Sequence, residues 1–174
     1  MEKKVTTPVV KGIIITLILI VFGLVIYFTG NMQNKVLGSL QYAILCVGII
    51  WACINYAQQM DGHVTFGNIF AHGFKTTAVV IALLSVYTFL ALKFIFPDMI
   101  DQALEQARKE MESKNQMSDE QIDKGLEIGR KYFVPFVIGG LVLFFAIIGA
   151  IGSVIGAAVA KKKPQDPFSV QQPM

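Results

Sequence analysis

Apolar residues fill four long stretches of the chain, at about 9–28, 36–57, 76–96 and 133–160, and the polar residues collect between them. As helices rising about 1.5 Å per residue, stretches of about 20 residues or more cross a hydrocarbon core about 30 Å thick. The pattern predicts four transmembrane helices. The last stretch, Phe133 to Ala160, carries no charge, and its roughly 42 Å of helix leaves length for tilt. Thr29-Gly30-Asn31 is a turn, and the short link it makes sets the first two spans antiparallel.

The first span is Ile, Leu and Val broken by Thr16 and Gly23, with Lys11 placed near its start to snorkel toward headgroups. The second carries Gln41, Trp51 and Asn55. Trp51 and Tyr56 sit toward its end as interface aromatics do, where Asn55 reaches water or caps the helix. Asp61-Gly62 is a turn signal. After it, Phe66, Ile69, Phe70, Gly73 and Phe74 share one helical face while Asn68, His72 and Lys75 fall elsewhere, with Thr65 as N-cap. The expectation is a short amphipathic helix lying in the interface, or a re-entrant approach to the third span. The third span holds Tyr87 and, one turn from its end, Lys93. Apart from Lys11 at the start of the first span, Lys93 is the only formal charge within a span, and no Asp, Glu or His is buried in one, which disfavours a proton relay.

Residues 97–132 form the one sizeable polar region. Ile100, Leu104, Ala107 and Met111 make a helical stripe, 113–117 break it, and Ile122, Leu126, Gly129 and Phe133 make a second. Ser118 and Gln121 stand at capping-box spacing before the second stripe. The expected element is a helical hairpin, against the alternative of a charged, disordered loop. The fourth span has a ridge of small residues: Gly152, Gly156 and Ala160 in one row, Gly149, Ser153 and Ala157 in the next. Such rows let a second backbone approach closely, either from span one or two or from another chain. The tail, 161–174, with three lysines, three prolines and three glutamines, is expected to be disordered, and Lys161–Lys163 to touch anionic headgroups.

Composition agrees with the pattern. The 174 residues are 54% hydrophobic and 16% charged, against about 25% charged in a soluble domain. Nine of the twelve acids lie between Asp98 and Glu127, whereas lysines mark both ends. Four spans put the termini on one side, and the acid-poor lysines there, with Lys75, place both termini in the cytoplasm and the hairpin outside. The run after Lys3 and Lys4 is long for a signal peptide and lacks a small-residue cleavage site, so the first span is expected to stay uncleaved. Cys46 and Cys53, seven residues apart on one helix, sit about 10.5 Å apart, beyond disulfide reach.

Candidate chemistry is sparse. Asp61, His63 and His72 are the only residues to offer as metal ligands, and their spacing matches no ligand pattern, so the histidines are expected to be solvated. Nucleophile-elbow, zincin, P-loop and dinucleotide fingerprints do not occur in their required contexts. No catalytic residue, cofactor, metal or nucleic-acid partner is expected.

The run Thr65-Phe66-Gly67 through Phe70, Gly73 and Phe74, the Phe96-Pro97-Asp98 exit and the charged insert before a Gly-rich last span resemble the small bacterial four-span proteins catalogued as domain of unknown function 4199. The resemblance covers about Thr6 to Ala160. It implies a bacterial inner-membrane location and no catalytic residues. The expectation is therefore an all-α, integral membrane four-helix bundle with an extramembrane helical hairpin between the third and fourth spans. Its expected role is non-enzymatic, through helix–helix contacts in the lipid bilayer with a second copy or another membrane protein. The alternative is a small transporter or channel component working as an oligomer.

Overall fold

The computed structural model describes residues 5–31, 34–113 and 118–163. The elements are α1 (Pro8–Phe28), α2 (Lys35–Gln59), α3 (Phe66–Leu90), a π-helical turn (Ala91–Ile95) that continues α3, α4 (Asp98–Ser113) and α5 (Asp119–Val159). Four of these, α1, α2, α3 with its π turn, and α5, are long and apolar enough to cross a membrane. The tail from 164 and the break at 114–117 lie outside the described residues.

Local chemistry sets the ends. Pro8 occupies the first turn of α1, where its missing N–H is no loss, and the Thr7 hydroxyl accepts from Val10 N. Asn34 caps α2 by accepting from Val36 N at 3.0 Å. After α2 the chain turns through Asp61 and Gly62, both at positive φ, and Gly62 N donates to Ala57 O, closing the helix end. Pro97 stops the π turn, since the residue before a proline is driven out of helical conformation.

Two helices are longer than the predicted spans. Residues 66–74 are not a separate element but the first turns of α3, because no Gly-Pro break or turn separates Phe74 from Thr76. Likewise the stripe after Ser118 runs without interruption into the last span. The resulting helix of 41 residues keeps Pro135 inside it, at the cost of one backbone hydrogen bond.

The described residues fall into two compact units, one built from residues before 84 and after 143, the other from Leu84–Leu143. In the first unit α1, α2, the start of α3 and the end of α5 share a core of Ile15, Leu19, Leu45, Ile49, Ile69, Val80 and Ala157. Tyr42 meets Phe145 edge to face at 5.8 Å.

In the second unit α4 lies antiparallel to the first turns of α5. Arg130 pairs with Asp101 and Arg108 with Asp123, so partners further along one helix meet partners earlier on the other. A methyl added at Gly129 would meet Leu104 at 3.4 Å, and Ile122 is buried. Gln121 Oε1 accepts from Ser118 N at 3.0 Å, the backward half of the predicted capping box. Within α4, the Glu105 carboxyl is held below its ordinary 4.5 by its hydrogen bond from Lys109 and then by that lysine's charge. A depressed carboxyl stabilises the fold above its ordinary value and loses that contribution as pH falls through its folded value. The paired side chains are exposed, so each bridge contributes little. Asp123→Arg is expected to lower thermal stability in detergent slightly, and adding Arg108→Asp to restore it. A double variant no better than the single one would mean that the pair does not join the helices.

Candidate functional site: a buried basic cluster in the four-helix unit

Lys11 lies in the first turn of α1 and is 0% exposed. Helical spacing puts it on the stripe of Ile15 and Leu19, the face that enters the core. Two contacts bring that face down. An added methyl at Gly12 would overlap Val79 of α3 at 2.7 Å, and one at Gly48 of α2 would meet Ile15 at 3.1 Å. The start of α1 is also clamped to the end of α2: Thr6 N donates to Gln59 Oε1 and Gln59 Nε2 donates to Thr6 Oγ1, both at 2.9 Å. Held this way, Lys11 does not snorkel. Its Nζ donates to Ala52 O at 3.1 Å and stands 5.9 Å from the centre of the Tyr56 ring. Among the described residues no carboxylate pairs with it.

The Tyr56 ring stacks on His72, with centroids 4.2 Å apart and planes 12° from parallel. His72 is 6% exposed, and its Nε2 has no hydrogen-bond partner among the described residues. The expectation of a solvated histidine is corrected, because His72 sits one residue from Gly73, where α3 comes closest to α2 and α5. An added methyl at Gly73 would lie 2.5 Å from Cys53 Sγ and 2.7 Å from Ser153 Oγ. Cys53 is fully buried and its thiol donates to Ile69 O at 3.7 Å. Lys11 is within electrostatic reach of both Cys53 and His72, and the exposed Lys75 also acts on His72. The membrane-crossing helices thus hold a buried lysine and a buried histidine, where Lys11 is expected to snorkel and His72 to be solvated. Lys93 itself is exposed, 5.5 Å from the Phe89 ring.

The buried hydroxyls nearby do not face the cluster as nucleophiles. Thr16, Thr76, Thr77 and Ser153 each donate to the carbonyl four residues earlier, at 2.7–3.1 Å.

The small-residue ridge of α5 is occupied within the chain. The row of Gly149 and Ser153 faces α3: an added methyl at Gly149 would fall 2.1 Å from Thr77 Cγ2. The row of Gly152 and Gly156 faces α2, against Ile49 at 3.3 Å and Cys53 Cβ at 2.6 Å. Ala157 and Ala160 are buried with them. The ridge therefore seats on α2 and α3, not on α1. The predicted interfacial face is divided: Ile69 and Gly73 are buried, Phe66 and Phe74 are exposed, and Phe70 stacks on Phe74 at 5.9 Å. Asp61 and His63 are exposed, and no group of three or more His, Cys, Asp or Glu side chains is arranged to hold a metal among the described residues.

Four helices of membrane-crossing length and apolarity place the chain in the class of multi-pass membrane proteins. More particularly, it belongs to the family described as Protein of unknown function (DUF4199), which it matches over residues 11–162. No curated protein and no solved structure matches the chain.

Proposed function

We propose that this is a non-enzymatic multi-pass protein of the bacterial inner membrane that works by contact, as a subunit or modulator of a larger assembly. Both termini lie in the cytoplasm. The hairpin of α4 and the first turns of α5 stands outside the bilayer and offers its polar surface to a partner. The observation that carries this reading is the exposed, ion-paired face along α4 and α5, with Arg108, Asp123, Arg130 and Asp101 side chains all well exposed. The length of α5 supports its placement. Its 41 residues make about 62 Å of helix, about twice the hydrocarbon core, and the charges lie at one end. The back-bonded hydroxyls of the four-helix unit support a packing role for its buried polar groups.

Reporter fusions after Lys163 and within 113–117 are expected to report opposite sides, with the C-terminal one cytoplasmic. The same side for both would overturn the four-span arrangement. Purification in mild detergent is expected to bring down a second protein, or a second copy, at fixed stoichiometry. A lone monomer across detergents would overturn the contact role. A transporter or channel component acting as an oligomer is the second reading, and buried Lys11 and His72 favour it, since intramembrane ionisable residues mark ion paths. Conduction by a purified homo-oligomer in liposomes would establish it.

A further inference from the structure

We propose that Lys11 and His72 form a proton-binding site inside the four-helix unit, taking up and releasing one proton between them. This goes beyond the contact role and does not depend on it. Two basic nitrogens are buried together here, joined through one aromatic ring: Lys11 Nζ stands 5.9 Å from the Tyr56 centroid and the His72 ring stacks on Tyr56 at 4.2 Å. The Lys11 amine has Ala52 O and the Tyr56 ring as partners, and no carboxylate among the described residues. His72 Nε2 is buried with a lone pair or a proton and nothing to give it to. A charge buried without a counter-charge is costly, and proteins meet that cost by letting the group exchange its proton.

The site holds one proton and not two, because two cations in a low-dielectric interior repel strongly. Among the described residues no acidic side chain pairs with either group to relieve that repulsion. Cys53 and Tyr56 face the site from α2, and the exposed Lys75 acts on it from α3. The α5 segment from Phe144 to Ala160 has no titratable side chain, and α1 has only Tyr27, far along the helix. Close packing excludes a larger ligand: even a methyl added at Gly73, the neighbour of His72, would overlap Cys53 Sγ and Ser153 Oγ. A proton is the ligand that needs no cavity. Lys11 lies one turn from the start of α1, beside the Thr6–Gln59 clamp.

The test is a nitrogen NMR titration of the full chain in lipid nanodiscs. The exposed His63 is replaced (H63Q), so that the remaining imidazole is His72. The buried Lys11 amine, the more basic of the two, is expected to take up the one proton, and the His72 imidazole to stay neutral for as long as Lys11 is charged. In H63Q/K11M the His72 midpoint is expected to move by about one pH unit or more, the size of a strong charge–charge coupling. Both groups charged together near neutral pH, no change in the Lys11 amine between about pH 4 and about pH 10, or an unmoved His72 midpoint in H63Q/K11M would each overturn the proposal. If H63Q/K11M does not accumulate, the H63Q titration alone decides the question: the pair carrying one proton, not two, near neutral pH upholds the proposal, and two protons overturn it.

Discussion

Gly149→Leu is expected to leave almost no folded protein in the membrane, while Gly140→Ala, nine residues away on the same helix, leaves accumulation at wild-type level or above. The contrast follows from what each position meets. At Gly149 even a Cβ would sit 2.1 Å from Thr77 Cγ2 and 2.4 Å from Thr77 Oγ1, well inside van der Waals contact, whereas at Gly140 nothing lies within 4 Å. Overpacking a well-packed core by a methyl or two costs about 1–3 kcal/mol. A leucine there must push α3 and α5 apart, and in lipid there is no hydrophobic drive to hold helices together once their close packing is lost. At Gly140 an alanine gains about 1 kcal/mol of helix propensity and meets no neighbour. The clash can also be assigned. Thr77→Ala removes the two nearest atoms and leaves Thr77 Cβ at 2.8 Å, so Gly149→Ala/Thr77→Ala is expected to recover part of what Gly149→Ala loses in thermal stability. Normal accumulation of Gly149→Leu, or no rescue by Thr77→Ala, would mean that α3 and α5 do not meet at these residues.

Much of this arrangement was legible in the chain. The four apolar runs marked the helices because a membrane leaves the backbone little choice but helix. The two rows at spacing four identified the face of α5 that packs. What could not be read was the face it packs on, since small residues announce close approach without saying whose backbone approaches. Thr77 on α3, and Ile49 and Cys53 on α2, became its partners only once the helices were placed. The helix ends were read short for a related reason. Residues 66–74 carry enough polar side chains to look like an interfacial helix, but periodicity cannot separate a helix on the membrane from the first turns of one entering it. At Ser118 the sequence carried its own punctuation, and Gln121 reaches back to it as the spacing predicts.

The basic cluster was missed through a general expectation about lysine. Near the end of a span, lysine is normally read as snorkelling, and nothing about Lys11 taken alone contradicts that. The contrary signal lay in its neighbours: Gly12 and Thr16 flank it, and Ile15 and Leu19 continue its stripe, which together mark a packing face. His72 was hidden in the same way. It was assigned to the polar side of a short helix, although Ile69, Gly73, Thr76 and Val80 surround it at helical spacing and all are buried.

Lys11→Met is expected to accumulate at or above the wild-type level and to melt no lower, while Lys11→Ala melts well below both. Methionine keeps a long, unbranched side chain along the path between α1 and α2 and removes a buried charge that has no acidic partner among the described residues. Replacing buried charge by apolar groups of similar volume is commonly neutral or stabilising by about 1–4 kcal/mol. Alanine leaves the same space empty, and a core change of methionine to alanine costs about 2–5 kcal/mol. Thermal unfolding of the three proteins in one detergent, at one pH, separates packing from charge. If Met and Ala are equally damaging, the ammonium and its bond to Ala52 O hold the four-helix unit together, and the lysine is structural. If Met is tolerated and Ala is not, the side chain is needed for its volume, and its charge contributes nothing to folding that methionine lacks. A buried, unpaired charge that stability does not require is retained for what the charge does, which ties the fate of Lys11→Met directly to the proton chemistry it shares with His72.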